Sequence, residues 1–132
     1  MRSPDELLAA ARAAREQAYA PYSGFAVGAA LETTDGTIVT GCNVENASYG
    51  TSICAERTAI VSAVAQGYRE FCAIAVAGPD GAITSPCGAC RQFIAEFDPE
   101  MPVYFTTPDA DMQTTLDKLL PFSFGPKSLQ NT

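Results

Sequence analysis

Histidine is absent from this sequence and cations are scarce, with eight Lys and Arg against fifteen Asp and Glu and a formal net charge of −7. Without histidine, a structural zinc site closed by four protein ligands would have to come from cysteine alone. Without a Lys/Arg cluster the chain lacks the electrostatic footprint that a phosphate backbone requires, so no nucleic-acid partner is expected. Long apolar runs are missing too. The longest, Phe71 to Gly78, falls far short of a bilayer's thickness, and no membrane partner is expected. There is no repeat, linker or low-complexity tract, and 132 residues at 47% hydrophobic predict one domain over 1–132, large enough to bury a core without disulfide staples. Five cysteines are an odd number, and no signal peptide is expected. A disulfide framework is therefore not expected, and a cytoplasmic location is.

What is present is concentrated in two cysteine stretches, Cys54-Ala55-Glu56-Arg57 and Ser85-Pro86-Cys87-Gly88-Ala89-Cys90. Each opens a helical pattern: Ala59, Ile60, Ala63 and Val64 follow the first, and Cys90, Phe93, Ile94 and Phe97 keep i, i+3, i+4, i+7 spacing in the second. Cysteines in first turns meet free backbone N–H groups and the positive end of the helix dipole, which favour thiolates. Three thiolates converging from two helix starts suit Zn²⁺, with one tetrahedral position left for water and Glu56 beside it as a base. Other readings fit less of the sequence. A redox pair at Cys87 and Cys90 leaves Cys54-Ala55-Glu56 unexplained. Cys42 and Cys72 lie inside apolar strand-like runs and read as small buried hydrophobes, not as a fourth ligand. Glu56 by itself is what a helix dipole favours in any first turn, and only its place beside Cys54 points further.

The rest of the chain predicts α/β layers. Ser3-Pro4-Asp5-Glu6 is a capping box opening a helix whose apolar stripe is Leu7, Ala11, Ala14 and Ala18, with Arg12 and Arg15 solvated and Pro21 as its end. Ala26 to Thr33 and Thr37 to Val44 flank Asp35-Gly36 as an antiparallel hairpin. Gly67 follows the end of the Cys54 helix. Phe71 to Ala77 is apolar without alternation, the pattern of a strand covered on both faces. The Cys90 helix leads to a strand over 102–106, and a short strand near Met112 to Thr115 with a short helix to Leu120 completes the prediction, placing the cysteines at one end of the sheet. Leu119 and Leu120 are expected to fold onto their own core.

The cysteine stretches, together with Ala20-Pro21-Tyr22-Ser23-Gly24-Phe25, the block from Gly41 to Tyr49, and Leu119-Leu120-Pro121 with Phe124-Gly125-Pro126, resemble the small homotetrameric zinc-dependent cytidine deaminases of the three-cysteine class. The resemblance implies a three-layer α/β/α cytidine-deaminase-like fold with a mixed sheet of about five strands. It implies one zinc per subunit on Cys54, Cys87 and Cys90, and Glu56 as the proton shuttle in hydrolysis of free cytidine and 2′-deoxycytidine to the uridine products and ammonia, a pyrimidine-salvage reaction. Asn43 and Glu45 would hold the ribose 3′-OH, Phe25 would pack on the base, and Ala55, Ser85 and Cys87 would line the reacting edge through backbone groups. Three thiolates leave Zn²⁺ at net −1, which Arg57 would offset by hydrogen bonding to ligand sulfur. Arg91 reads instead as a solvated helix arginine. Phe124 and Tyr49 would be contributed across subunit interfaces, Phe124 stacking on the cytosine. A blasticidin-type or other cytosine-nucleoside deaminase, and a non-enzymatic zinc-binding interaction module, are the competing readings.

Overall fold

In the computed structural model, which describes residues 1–129, the chain is a mixed five-stranded sheet with helices on both faces. Helix α1 (Pro4–Ala14) begins as the capping box requires: Ser3 Oγ accepts from the Glu6 N–H at 3.2 Å, and the Glu6 carboxylate accepts from the Ser3 N–H at 3.3 Å. It buries Leu7, Leu8 and Ala11 against the sheet. The helix stops earlier than the Leu7 to Ala18 stripe predicts. After Ala14 the chain takes a 3₁₀ turn over Arg15–Gln17 and is then drawn out to pair, the Tyr19 N–H donating to Asn43 O at 2.9 Å and the Glu45 N–H to Tyr19 O at 2.8 Å. Of the two arginines expected in solvent, Arg12 stays in an exposed surface pair and Arg15 is tied down. Arg15 donates to Gly78 O at 2.5 Å and pairs with Asp80 at 3.5 Å, while Arg12 pairs with Asp111 at 2.7 Å.

Strands β1 (Gly28–Thr33) and β2 (Ile38–Cys42) form the predicted antiparallel hairpin. Its turn uses Gly36 at φ 89°, and the Asp35 carboxylate accepts from the Thr37 N–H at 3.1 Å. Helix α2 (Ala55–Ala65), strand β3 (Phe71–Ala77), helix α3 (Gly88–Phe97) and strand β4 (Pro102–Phe105) follow. Strand β5 (Met112–Thr115), helix α4 (Leu116–Leu119) and the four-residue helix α5 (Pro126–Leu129) complete the described chain. The spatial order is β2-β1-β3-β4-β5, with β3 and β4 parallel and the other pairs antiparallel.

As its unbroken apolar run predicts, β3 is covered twice. Ile74 and Val76 join the cluster under α2, α3 and α4, whereas Ala73, Ala75 and Ala77 meet α1 on the other face. Leu119 and Leu120 pack half-buried against the first cluster, as expected. Cys42 and Cys72 depart from expectation. Both are half-buried, because each sits near a strand end where its sulfur reaches a carbonyl, Gln17 O at 3.4 Å and Thr33 O at 3.6 Å.

This topology places the cysteines. Strands β2 and β3 both run antiparallel to β1 and so finish at the same edge, where the connections into α2 and α3 begin. Helix α2 lies directly on β2: a Cβ at Gly41 would stand 2.4 Å from Ala59 N and 2.7 Å from Ala55 O. Any side chain there would push the first turn of α2, and the residues it carries, off the sheet.

Candidate active site

Cys54 is the N-cap of α2, Cys87 the N-cap of α3, and Cys90 lies one turn further into α3, fully buried. Neither N-cap sulfur caps its helix, so both are free to face the third. All three Sγ atoms lie within 4.8 Å of one another, with Cys54 and Cys87 3.7 Å apart. Zn–S bonds of about 2.3 Å at tetrahedral angles put sulfurs about 3.8 Å apart, so the donor type and the measured edge both fit a zinc ion held by three thiolates.

The protons on these sulfurs are unequally held. A hydrogen bond from Cys90, helped by Arg57 and Cys87, pushes the Cys54 thiol down to about 5. Cys90 is pushed up, because its proton bonds Cys54 and because it is buried beside Glu56. Arg57 Nη2 stands 3.6 Å from Cys54 Sγ and 3.4 Å from Ser52 O, where the sequence reading placed a guanidinium on ligand sulfur. Its Nε is buried without a hydrogen-bond partner among the described residues.

Glu56, two residues past Cys54, is 4% exposed. Burial, reinforced by the nearby Cys54 charge, pushes its carboxyl up to about 7, where a carboxyl can both take and give a proton near neutral pH. Glu56 lines an open cavity of about 370 Å³ with Cys54, Ala55, Ser85 and Cys87; Phe25, Asn43 and Glu45 complete the predicted wall. Eight predicted residues from four separate stretches of sequence are thereby brought to one cavity.

Asn43 and Glu45 are held by the segment before β1. Asn43 Oδ1 accepts from the Val27 N–H at 2.9 Å and its Nδ2 donates to Phe25 O at 2.7 Å. Glu45 Oε1 accepts from the Tyr22 and Ser23 N–H groups at 3.0 and 3.1 Å, and its Oε2 from the Ser23 hydroxyl. Led by the Ser23 bond, these donors hold the Glu45 carboxyl below its ordinary value.

Two predicted residues do not reach this cavity. Tyr49 is 75% exposed and stacks edge-on against Tyr22, ring centroids 6.0 Å apart, in an adjoining pocket. Phe124 is 60% exposed, its carbonyl accepting from Gln92 Nε2 at 2.7 Å. Both side chains are outward. Arg91 is a correction. It is not solvated but donates from Nε to Pro86 O at 2.7 Å, from Nη1 to Leu119 O at 2.9 Å and from Nη2 to Ser85 Oγ at 3.4 Å. It thus braces the loop carrying Ser85 against the end of α4, a role that one-helix periodicity cannot reveal because every partner lies off the helix. The cavity lining also includes Ser23, Val27 and Thr84, which the sequence reading left without a role.

The profile of the cytidine and deoxycytidylate deaminase zinc-binding region matches residues 1–106, which takes in both cysteine stretches and leaves out β5 and the tail. A cytidine deaminase of Sporosarcina psychrophila is 53% identical over 127 residues, 95% of this chain and 93% of its own. One from Halalkalibacterium halodurans is 47% identical over 89% of this chain and 91% of its own. Among solved structures, a cytidine deaminase from Burkholderia pseudomallei is 52% identical and superposes with a TM-score of 0.88 over 93% of this chain and 100% of that one. With that agreement of sequence, fold and cysteine geometry, the chain belongs to the zinc-binding cytidine and deoxycytidylate deaminase family.

Proposed function

We propose that this protein hydrolyses free cytidine and 2′-deoxycytidine to uridine and 2′-deoxyuridine with release of ammonia, as a cytoplasmic single-domain enzyme of pyrimidine salvage. The observation that carries this reading is a buried carboxylic acid, Glu56, beside three convergent cysteine sulfurs at a cavity walled opposite by Phe25, Asn43 and Glu45.

Cys54, Cys87 and Cys90 hold the zinc, which when bound supplies the Lewis acidity that makes water a nucleophile near neutral pH. Glu56 takes one proton from the attacking water and delivers it to ring nitrogen N3 as C4 is attacked, then takes the proton of the hydroxyl formed at C4 and gives it to the departing amino group, so that C4=O forms as ammonia leaves. Its burial matters because a carboxyl with a pKa near that of the medium can do both transfers. The ring is oriented at its reacting edge by backbone groups of Ala55, Ser85 and Cys87, with Phe25 against its face. Asn43 and Glu45 hold the sugar. A contact to the 3′-OH excludes a base within a polynucleotide, in keeping with the net charge of −7. Arg57 draws charge from Cys54 and so keeps three thiolates from over-donating to the metal.

Incubating zinc-loaded protein with cytidine, free cytosine and single-stranded DNA tests the substrate class. Uridine and ammonia from the nucleoside are expected; activity confined to DNA would overturn the reading, and zinc binding without ammonia release would mark a binding module.

The active unit is a homotetramer whose sites are completed by neighbours, with Phe124 stacking on the cytosine and Tyr49 contributed across an interface. The outward placement of both supports this, as does the exposed aromatic surface formed by Tyr22 and Tyr49. Stacking a base on an aromatic ring is worth about 1–3 kcal/mol, so Phe124→Ala is expected to weaken substrate binding roughly 5–150-fold with zinc retained. Mixed with Glu56→Gln subunits under conditions that allow exchange, it should regain activity, because some sites combine an intact Glu56 with a neighbour's Phe124. Demonstrated exchange without recovery, or a fully active monomer, would end the shared-site reading.

A further inference from the structure

The turn Pro21-Tyr22-Ser23-Gly24 lies between the helical N-terminal segment and β1, and Ser23 lines the cavity beside Glu45. Gly24 takes φ 69° and closes the turn by donating to Ala20 O at 2.9 Å. That geometry folds the Ser23 hydroxyl back so that its oxygen accepts from the Phe25 N–H at 2.9 Å. The single hydroxyl proton is thereby committed to Glu45 Oε2, since an ionised carboxylate only accepts.

We propose that Ser23 is a positioning residue for substrate selection, fixing the Glu45 carboxylate so that its remaining acceptor site takes a sugar hydroxyl. The reasoning is a count of lone pairs, and it rests on Glu45 being a sugar contact. A carboxylate offers about four acceptor sites. Oε1 takes the Tyr22 and Ser23 N–H groups and Oε2 takes the Ser23 hydroxyl, which leaves one site on Oε2 at the cavity wall. The three donors also favour the ionised form. What fits that site is a hydrogen-bond donor; a carbonyl or a 3′-phosphate there would face the carboxylate with nothing to donate. Removing the Ser23 hydroxyl frees Oε2 to rotate and leaves the Phe25 N–H without its acceptor, so the selecting group loses its fixed direction.

The test compares cytidine with 3′-deoxycytidine on the zinc-loaded enzyme. The parent is expected to prefer cytidine by about tenfold or more in kcat/KM, as loss of a hydrogen bond to a charged group implies. Ser23→Ala should shrink that preference by about fivefold, mainly through KM for cytidine, while Ser23→Thr keeps it. In a Glu45→Gln background Ser23→Ala should change the ratio no further, because its effect passes through Glu45. Should Ser23→Ala not fold, Ser23→Cys, which keeps the size and weakens the donor, must lower the ratio alone. If removing the hydroxyl slows both substrates by the same factor, the proposal is overturned while the Glu45 contact stands. A parent enzyme that does not separate the two substrates would overturn the Glu45 contact and this proposal together.

Discussion

Glu56→Gln is expected to fold, to hold zinc at the parent's stoichiometry, and to lose roughly 10²–10⁴-fold in turnover, the range that a positioned proton carrier supplies. Glutamine keeps the shape of a side chain that is 4% exposed, so packing at the start of α2 is preserved. What it cannot do is the proposed pair of transfers, one water proton to N3 and the other, from the hydroxyl formed at C4, to the leaving amino group. Binding of cytidine should change far less than turnover, since the proposed sugar and ring contacts come from Phe25, Asn43 and Glu45. The same substitution has a stability signature in the metal-stripped protein. Burial raises the Glu56 carboxyl from 4.5 to about 7, so its ionisation costs folding free energy as pH climbs through that window. Stability contributed by the protonated form is complete below about pH 4.5 and lost above about pH 7, a difference of about 3 kcal/mol. Metal-stripped Glu56→Gln should therefore unfold at a higher temperature than the metal-stripped parent at pH 8, and the advantage should vanish at pH 4. Near-normal turnover of the zinc-loaded variant would remove Glu56 from the mechanism.

The site was legible in the sequence where one short stretch carries both the chemistry and its geometry. A cysteine at the N-cap, a glutamate two residues on and an arginine after it occupy one helical turn, so the positions of Cys54, Glu56 and Arg57 follow from helix geometry once the helix is recognised. The second stretch behaves the same way, with Cys87 and Cys90 one turn apart. Strand β3 was likewise set by local pattern, whereas residues 108–118 were the least legible stretch, with no clear periodicity behind the short strand and helix that the fold has there. Arg91 and Arg15 were misread because their partners are carbonyls outside their own helices, Pro86 before α3 and Leu119 at the end of α4 for one and Gly78 after β3 for the other. An arginine on a helix exterior looks the same in sequence whether water or a loop faces it. The end of α1 escaped for a related reason, since Ala18 would continue the stripe and what ends the helix is pairing of Tyr19 with Asn43 and Glu45. Ser23 was visible only as part of a motif; its role needed the position of Glu45.

Cys90→Ser is expected to abolish tight zinc binding, whereas Cys42→Ser and Cys72→Ser should leave it unchanged. Among the described residues, Cys54, Cys87 and Cys90 are the group whose ligand atoms converge closely enough to hold a metal, and the other two cysteines bond carbonyls elsewhere. Cys90 is the most consequential of the three. It is fully buried at the base of the cluster, and its proton is the largest influence holding Cys54 below the ordinary thiol range. Serine can still donate a hydrogen bond to Cys54 but does not become an anion near neutral pH, so the variant offers two thiolates where the ion needs three. Zinc present at a thousand times its dissociation constant stabilises a folded site by about 4 kcal/mol, or on the order of 10 °C in melting temperature for a chain of this size. That gap between zinc-loaded and chelated protein should appear in the parent and in the Cys42 and Cys72 variants, and should collapse in Cys90→Ser. Adding zinc to weakly buffered, metal-stripped parent should also acidify the solution, because the Cys90 proton has to leave for the sulfur to bind. A Cys90→Ser protein that kept one zinc per chain at parental affinity would show that the three sulfurs are not the metal site, and the role argued for Glu56 beside them would fall with it.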